Sequence, residues 1–348
     1  MQTCKKYWQH VAKLITQNNF LNHLPHFVTA PEARPTREYP KRTTSINRNG
    51  LNITLNRVPI NEKGPTGTCR INSTTYFCSY WVEGRCHAIL EALCRTYPQF
   101  RTLMIPHLPH EYMKKDIYLI RWLRDRNFDV AAAEKRLLAH IRWRSENQID
   151  SILSEDWDDF DREYRIYIEG CDKDGKPVIT MFPGDWDIRR VALSGKTKLF
   201  LRYLVKLFEE ALVTVRAMQE SGQNVTQATI ICDLAEFNVI TNGCPSCIAI
   251  YIQLATIYEN NYPGLAHRLI GINVPQVALT LWDLLKHFLN PQTTEVLHVY
   301  SRDRRSWERA LFNEIDRDQL PTKFGGHKTN DSLDLVEYRG LNKVFACT

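Results

Sequence analysis

The chain has 348 residues, 43% of them hydrophobic and 24% charged, with a formal net charge of +6. That is enough apolar material for one large domain or two smaller ones, and no run of about eighteen apolar residues is available to cross a bilayer. The N-terminus lacks the compact apolar stretch and cleavage site of a secretory signal, so a cytoplasmic protein is expected, and its ten cysteines are expected to be mostly buried thiols.

Charge is uneven along the chain. Residues 1–100 hold 5 Lys and 8 Arg against 5 acidic residues, giving +8; with +6 overall, the remainder carries −2. This first hundred has no sustained hydrophobic period and is rich in Asn, Thr and Pro, so it reads as a poorly ordered basic extension. Lys5, Lys6 and Lys13 beside Trp8, Val11, Leu14 and Ile15 allow a targeting or membrane-surface helix, although an accidental pattern accounts for them as well. Cys69, Cys78, Cys86, Cys94 and His87 lack the C-x2-C pair of a zinc site, and no metal or cofactor is expected.

From Lys114 regular structure begins. Ile117, Ile120, Trp122 and Leu123 with Arg121, Arg124 and Arg126 predict a short helix ending near Asn127, and Asp129 caps a second, amphipathic one through Val130, Ala133, Leu137, Leu138 and Ile141. These make a helical subdomain over 101–155. Tyr164–Glu169 and Pro177–Phe182 flank the turn Asp172-Lys173-Asp174-Gly175 as a hairpin; Gly170 and Met181 stand where a calcium loop needs carboxylates. Leu193–Glu220 reads as one long helix, and the Ser194-Gly195-Lys196-Thr197 before it lacks the glycine spacing of a phosphate loop. Ala228–Leu234 is a buried strand and Cys244–Tyr258 a helix.

The most informative stretch is Arg268–Val296. Arg268–Val274 suits a strand buried on both faces, and Pro275 ends it. Val277, Ala278, Leu279, Leu281, Trp282, Leu284, Leu285, Phe288 and Leu289 then cover most of a helix circumference. At about 1.5 Å per residue that helix is roughly 20 Å long, short of a ~30 Å hydrocarbon core. It is either a central core helix or one with an apolar cavity on one side and a membrane or partner on the other. Glu295–Tyr300 reads as a last strand and Asp303–Ile315 as a polar helix. Alternating strands and helices over 156–328, before a tail at 329–348, predict a three-layer α/β domain with a mixed, mostly parallel sheet.

One enzymatic reading exists. Cys244-Pro245-Ser246-Cys247 opens a helix, and Val274-Pro275 follows about thirty residues later, the ingredients of a thioredoxin-like oxidoreductase. Ten residues separate the preceding strand from Cys244, and Pro275 precedes a helix where that fold has a strand, so inert thiols are favoured.

The segments LIRWLRDRNFDV, DKDGKPV, IICDL, ENNYPGLAHRLIGINVP, FLNP and LPTKFGG, in this order from about Lys114 to Lys328, resemble the CRAL-TRIO lipid-binding proteins. The supernatant protein factor and tocopherol-associated group is the most similar branch, and its members often continue into a jelly-roll GOLD domain, whereas this sequence ends at Thr348. The resemblance implies a monomeric lipid-transfer protein without catalysis and without nucleic acid, meeting membranes transiently. It implies a pocket lined by Ile168, Ile179, Ala228, Ile230, Cys232 and Leu269, and a mobile gate helix carrying Val277, Leu281, Leu284, Leu285 and Phe288. Arg126 and Thr293 match anionic-lipid contacts of the phosphatidylinositol-transfer members, whereas Leu254 and Val296 stand where those have an acid and a second cation. Ile168, Ile179, Ala228 and Ile230 replace polar phosphatidylcholine contacts. A neutral cargo such as a tocopherol, a retinoid or another isoprenoid is therefore expected, with phosphatidylinositol transfer as the alternative. Burying roughly 400 Å² of such a lipid at about 25 cal/mol per Å² gives at most ~10 kcal/mol before association costs.

Overall fold

The structure is a computed structural model. It describes residues 92–93 and 95–328, apart from the side chain of Leu284, and the backbone of strands between 44 and 79 and at 333–334. The N-terminal helix suggested by Lys5 to Ile15 and the side chains of Cys69, Cys78, Cys86, His87 and Cys94 lie outside the described residues.

Two compact units divide at Leu103/Met104. In the first, strands β1 (Thr44–Arg48), β2 (Leu51–Arg57), β3 (Thr66–Ile71) and β4 (Thr74–Ser79) pair in sequence order as an antiparallel meander. The sequence reading gave this stretch no regular structure. Its strands are short and mostly polar; only β2, where Leu51, Ile53 and Leu55 alternate with Asn52, Thr54 and Asn56, carries the period-2 pattern of a half-buried strand.

The second unit opens with two helices, α1 (Asp116–Asp125) and α2 (Val130–Glu146). Asn127 and Phe128, both at positive φ, turn the chain between them, and the Asp129 carboxylate accepts the Ala132 N–H at 3.0 Å as the expected cap. After the short α3 (Asp158–Glu163) comes the predicted hairpin, β5 (Ile166–Cys171) and β6 (Pro177–Met181). Its turn is held by Asp172, whose carboxylate accepts the Asp174 and Lys176 N–H groups at 3.0 and 2.8 Å while Gly175 takes φ +77°.

The predicted long helix is present but starts four residues later than expected, with a separate short helix before it. α4 (Ile188–Leu193) stops and α5 (Thr197–Glu220) starts afresh, because Gly195 sits at φ +70°, outside the helical region. β7 (Ala228–Asp233), α6 (Pro245–Asn261) and β8 (Ala266–Ile272) follow. Asn273, at φ +54°, ends β8: its side chain donates to Asp233 Oδ1 at 2.9 Å and accepts from Trp307 Nε1 at 3.1 Å. α7 (Gln276–Leu285) tightens into a 3-10 turn at Lys286–Phe288. Glu295 and Val296, expected in a strand, close a helix instead, α8 (Pro291–Val296). Pro291 at its first position favours that start, and only Leu297–Val299 forms β9. α9 (Arg304–Glu314) and the two-residue β10 (Leu333–Asp334) complete the unit.

The sheet order is β10-β5-β6-β7-β8-β9, parallel from β6 to β9 and antiparallel at β5 and β10, the expected mixed and mostly parallel arrangement. On one face Val178, Ile231, Ile270 and Ile272 pack under Trp307 and Leu311 of α9 with Leu320 and Phe324. On the other, α5 covers Ile168, Ile179 and Ala228 with Phe200, Tyr203, Leu207 and Val215.

Candidate functional site

Strand register places most of the predicted pocket on this second face. Ile168, Ile179, Ile230, Leu269 and Leu297 are successive partners across five strands, and Cys232 lies two residues beyond Ile230 on the same strand and face. Within the row the environment changes. Ile168, Ile179 and Ala228 are fully buried beneath α5, so they meet packed side chains rather than open space. Ile230 packs with Ala266 and Val296, beside the half-buried Met181, Cys232 and Leu269. Cys232 keeps partial exposure, and burial pushes its thiol pKa up to about 12.

α7 stands at this end of the sheet, packed along α6. Pro275 and Ala278 anchor its start: Ala278 packs with Phe237 and Val274, and the Ala278 and Leu279 N–H groups donate to Pro275 O. Leu281 joins that cluster, as does Val299 of β9. Otherwise this apolar helix is poorly covered. Leu281, Trp282 and Leu285 are half-buried, Val277 is 36% and Phe288 43% exposed, and Ala278 alone among its described side chains is fully buried. A central core helix is excluded.

A polar cluster links α1, α2, α6 and α8. Asp125 Oδ2 lies 3.1 Å from Arg126 Nε and 3.9 Å from Arg136 Nε as an ion pair. Arg136 donates to Asn260 Oδ1 at 2.7 Å and to the Glu259 carbonyl. Glu259 accepts from Asn290 Nδ2 and is hydrogen-bonded to Thr293. Burial raises the Asp125 and Glu259 pKa values and lowers that of Arg136. The predicted Arg126 and Thr293 therefore do belong to one cluster. Glu259, which the sequence reading did not single out, belongs to it through Thr293, whereas Leu254, five residues earlier on α6, is half-buried among the apolar side chains of the core. The sequence reading also missed Arg144, which donates to Glu209 Oε1 at 2.7 Å and to Asp150 Oδ1 in a buried network completed by Tyr262 Oη on Glu209 at 2.8 Å. The Trp-Arg pair at the end of α2 was its only trace.

Cys244 and Cys247, expected as thiols, are bonded to each other with Cα atoms 4.9 Å apart, and Cys171 is disulfide-bonded as well. The Cα spacing of a C-x2-C pair at a helix start is already within disulfide range, which a composition-based argument overlooks. Cys244 caps α6, its sulfur accepting the Cys247 N–H at 3.1 Å.

Among the described residues no helix is long and apolar enough to cross a membrane. Residues 161–326 match the CRAL/TRIO domain family. The chain is 30% identical over 240 residues to the phosphatidylinositol/phosphatidylcholine transfer protein SFH4 of Arabidopsis thaliana, covering 67% of this chain and 39% of that protein. It is 28% identical over 234 residues to Patellin-4 of the same plant, covering 66% and 41%. It thus spans about two fifths of the length of these relatives. The crystal structure of Sfh5 superposes with a TM-score of 0.58 at 16% identity, over 70% of this chain and 90% of that one, a likeness of fold. Residues 161–326, which hold strands β5 to β9 and helices α4 to α9, thus form a CRAL/TRIO domain.

Proposed function

We propose that this chain binds and transfers a lipid, held in the cleft between the second sheet face and helices α6 and α7, with α7 as its gate. The carrying observation is α7 itself: apolar around its circumference, yet anchored at its start and left half-covered, with Val277 and Phe288 exposed. Such a helix gains from a lipid on one side and a bilayer on the other. The protein would carry cargo without altering it, working from the cytoplasm and meeting membranes transiently as a monomer.

The cargo we infer is neutral, of the tocopherol, retinoid or isoprenoid kind. Ile230, Cys232 and Leu269 offer a buried phosphate no strong donor, and an unsatisfied buried charge costs several kcal/mol. The polar cluster does not supply the missing charge, because Arg126 and Arg136 are balanced by Asp125 and Glu259. Phosphatidylinositol is the second reading, favoured by the half-exposed Arg126 near Thr293 and by the names of relatives such as SFH4.

The purified chain extracted with organic solvent should yield a neutral lipid by mass spectrometry. Phosphatidylinositol or phosphatidylcholine displacing a fluorescent tocopherol analogue at or below the concentration of tocopherol itself would overturn the neutral assignment. Recovery of no lipid, and no exchange between vesicles, would overturn the transfer reading.

A further inference from the structure

Away from the sheet, α1, α2 and the C-terminal half of α5 enclose a second cleft. It is lined by Tyr118, Arg121 and Trp122 of α1, His140 and Arg144 of α2, and Arg216 of α5 among others. Its volume is about 40 Å³. On that measure a single water needs about 10–15 Å³, so the space suits a group the size of a few waters.

The carboxylates near it and the Asn261 amide oxygen are already engaged. Glu209 and Asp150 both take Arg144, Glu220 takes Lys115 at 3.1 Å, and Asn261 Oδ1 meets His140 Nδ1 at 3.1 Å. The donors are not. Trp122 is 1% exposed and its Nε1–H meets no acceptor, nor does the buried Tyr118 hydroxyl. Arg121 gives one N–H to the Thr226 carbonyl at 3.2 Å, and Arg216 stacks on the Tyr112 ring with its Cζ 4.2 Å from the centroid. Neither arginine makes an ion pair among the described residues. The groups lie close together, with the Tyr118 and Trp122 rings 6.2 Å apart and the Trp122 and His140 rings 4.7 Å apart.

Two unpaired guanidinium groups beside two unsatisfied neutral donors make a set that only an acceptor-rich anion completes. Water would satisfy the neutral donors but leave the cations uncompensated. We propose that this cleft binds a phosphate-class oxyanion, with Arg121 and Arg216 supplying charge and Tyr118 and Trp122 supplying hydrogen bonds. Burial acts in the same direction, holding the Arg121 pKa below its ordinary value, a shift that a bound anion would reverse. The site shares no residue with the lipid cleft and stands whether or not the transfer reading holds.

The source of the phosphate is open to test: a free ion or a lipid headgroup. Inorganic phosphate titrated into the full chain at constant ionic strength, with chloride as reference, should raise Tm saturably. Arg216→Gln keeps much of the stacking stem but removes the charge, and should weaken phosphate binding at least tenfold, about 1.4 kcal/mol. Trp122→Phe deletes one N–H with little change of shape and should weaken binding severalfold. It guards against the case in which the arginine variant does not fold. Vesicles containing phosphatidic acid form the second arm. Vesicle binding that inorganic phosphate competes away assigns the site to a headgroup, and phosphate binding without a vesicle effect assigns it to the free ion. A phosphate response no larger than that of chloride, with no competable vesicle binding, overturns the proposal. So do equal responses in the wild type, Arg216→Gln and Trp122→Phe.

Discussion

The two faces of the six-stranded sheet are built from alternate residues of the same strands, and they end differently. Under α9 the side chains of Ile231, Ile270, Trp307 and Leu311 are fully buried in one apolar cluster. On the opposite face α5 closes only the half above β5 and β6, while Cys232 and Leu269 towards β8 stay partly exposed under a helix that is itself half-covered. Burial this asymmetric, in strands whose residues are apolar on both sides, separates a face that holds the domain together from one with room for something else.

Truncation should expose the difference most strongly. Leu311→Ala on the closed face is expected to cost 2–5 kcal/mol, the usual range for a fully buried leucine, read as a lower urea midpoint. Leu269→Ala on the open face should cost about 1 kcal/mol, because that side chain is already partly exposed. Equal losses would mean that both faces are closed cores.

Closure by polar groups should differ again from closure by apolar ones. His140 is buried between α2 and α6, and desolvation lowers its pKa to about 3 from an ordinary value of 6.5. The unfolded chain then binds the extra proton first, so stability is full above pH 6.5 and falls as the pH drops towards 3, by at most about 1.4 kcal/mol per pH unit. His140→Gln should flatten this part of the profile relative to the wild type, whereas Leu311→Ala should lower the profile without changing its slope. Parallel wild-type and His140→Gln curves between pH 6 and 4 would refute the assignment.

How much of this was legible in the sequence follows the same division. The hairpin at Asp172–Gly175, the Asp129 cap and the parallel strands were readable because each depends on local chemistry or on an unbroken apolar run. The start of α5 at Thr197 rather than Leu193 and the helical Glu295 were not, since the positive φ of Gly195 fixes the first and Pro291, four residues upstream, decides the second. In the site, the strand alternation put Ile168, Ile179, Ile230 and Leu269 on one face, but which of them α5 would cover depends on a helix that ends 49 positions before Leu269. Glu259 was missed for a related reason. Its partner Thr293 lies across the α7 excursion, and along α6 alone nothing marks Glu259 out.

The exposed side chains at α7 sharpen the comparison from the open side. Val277→Asp and Phe288→Asp change side chains that are already exposed, so together they should alter stability by about 1 kcal/mol or less. Vesicle binding and the rate of lipid exchange should nevertheless fall severalfold, with an unchanged circular dichroism spectrum. Exchange at the wild-type rate would remove α7 from the mechanism.

The smallest effect is expected at Cys244 and Cys247. Their bond lies at the start of α6, the helix against which α7 packs, so it tests whether the open face depends on a covalent clasp. A disulfide stabilises chiefly by restricting the unfolded chain, and the loop closed here spans only three positions, near the minimum that such a restriction can act on. Pro245 at the first helical position fixes the same backbone independently, and serine at position 244 keeps a side-chain oxygen able to cap the helix. The double Cys→Ser variant should therefore bind and exchange lipid as the wild type does, with Tm lowered by no more than a few degrees. A thiol-dependent disulfide reductase activity present in the wild type and lost in this variant would instead place redox chemistry at the mouth of the open face.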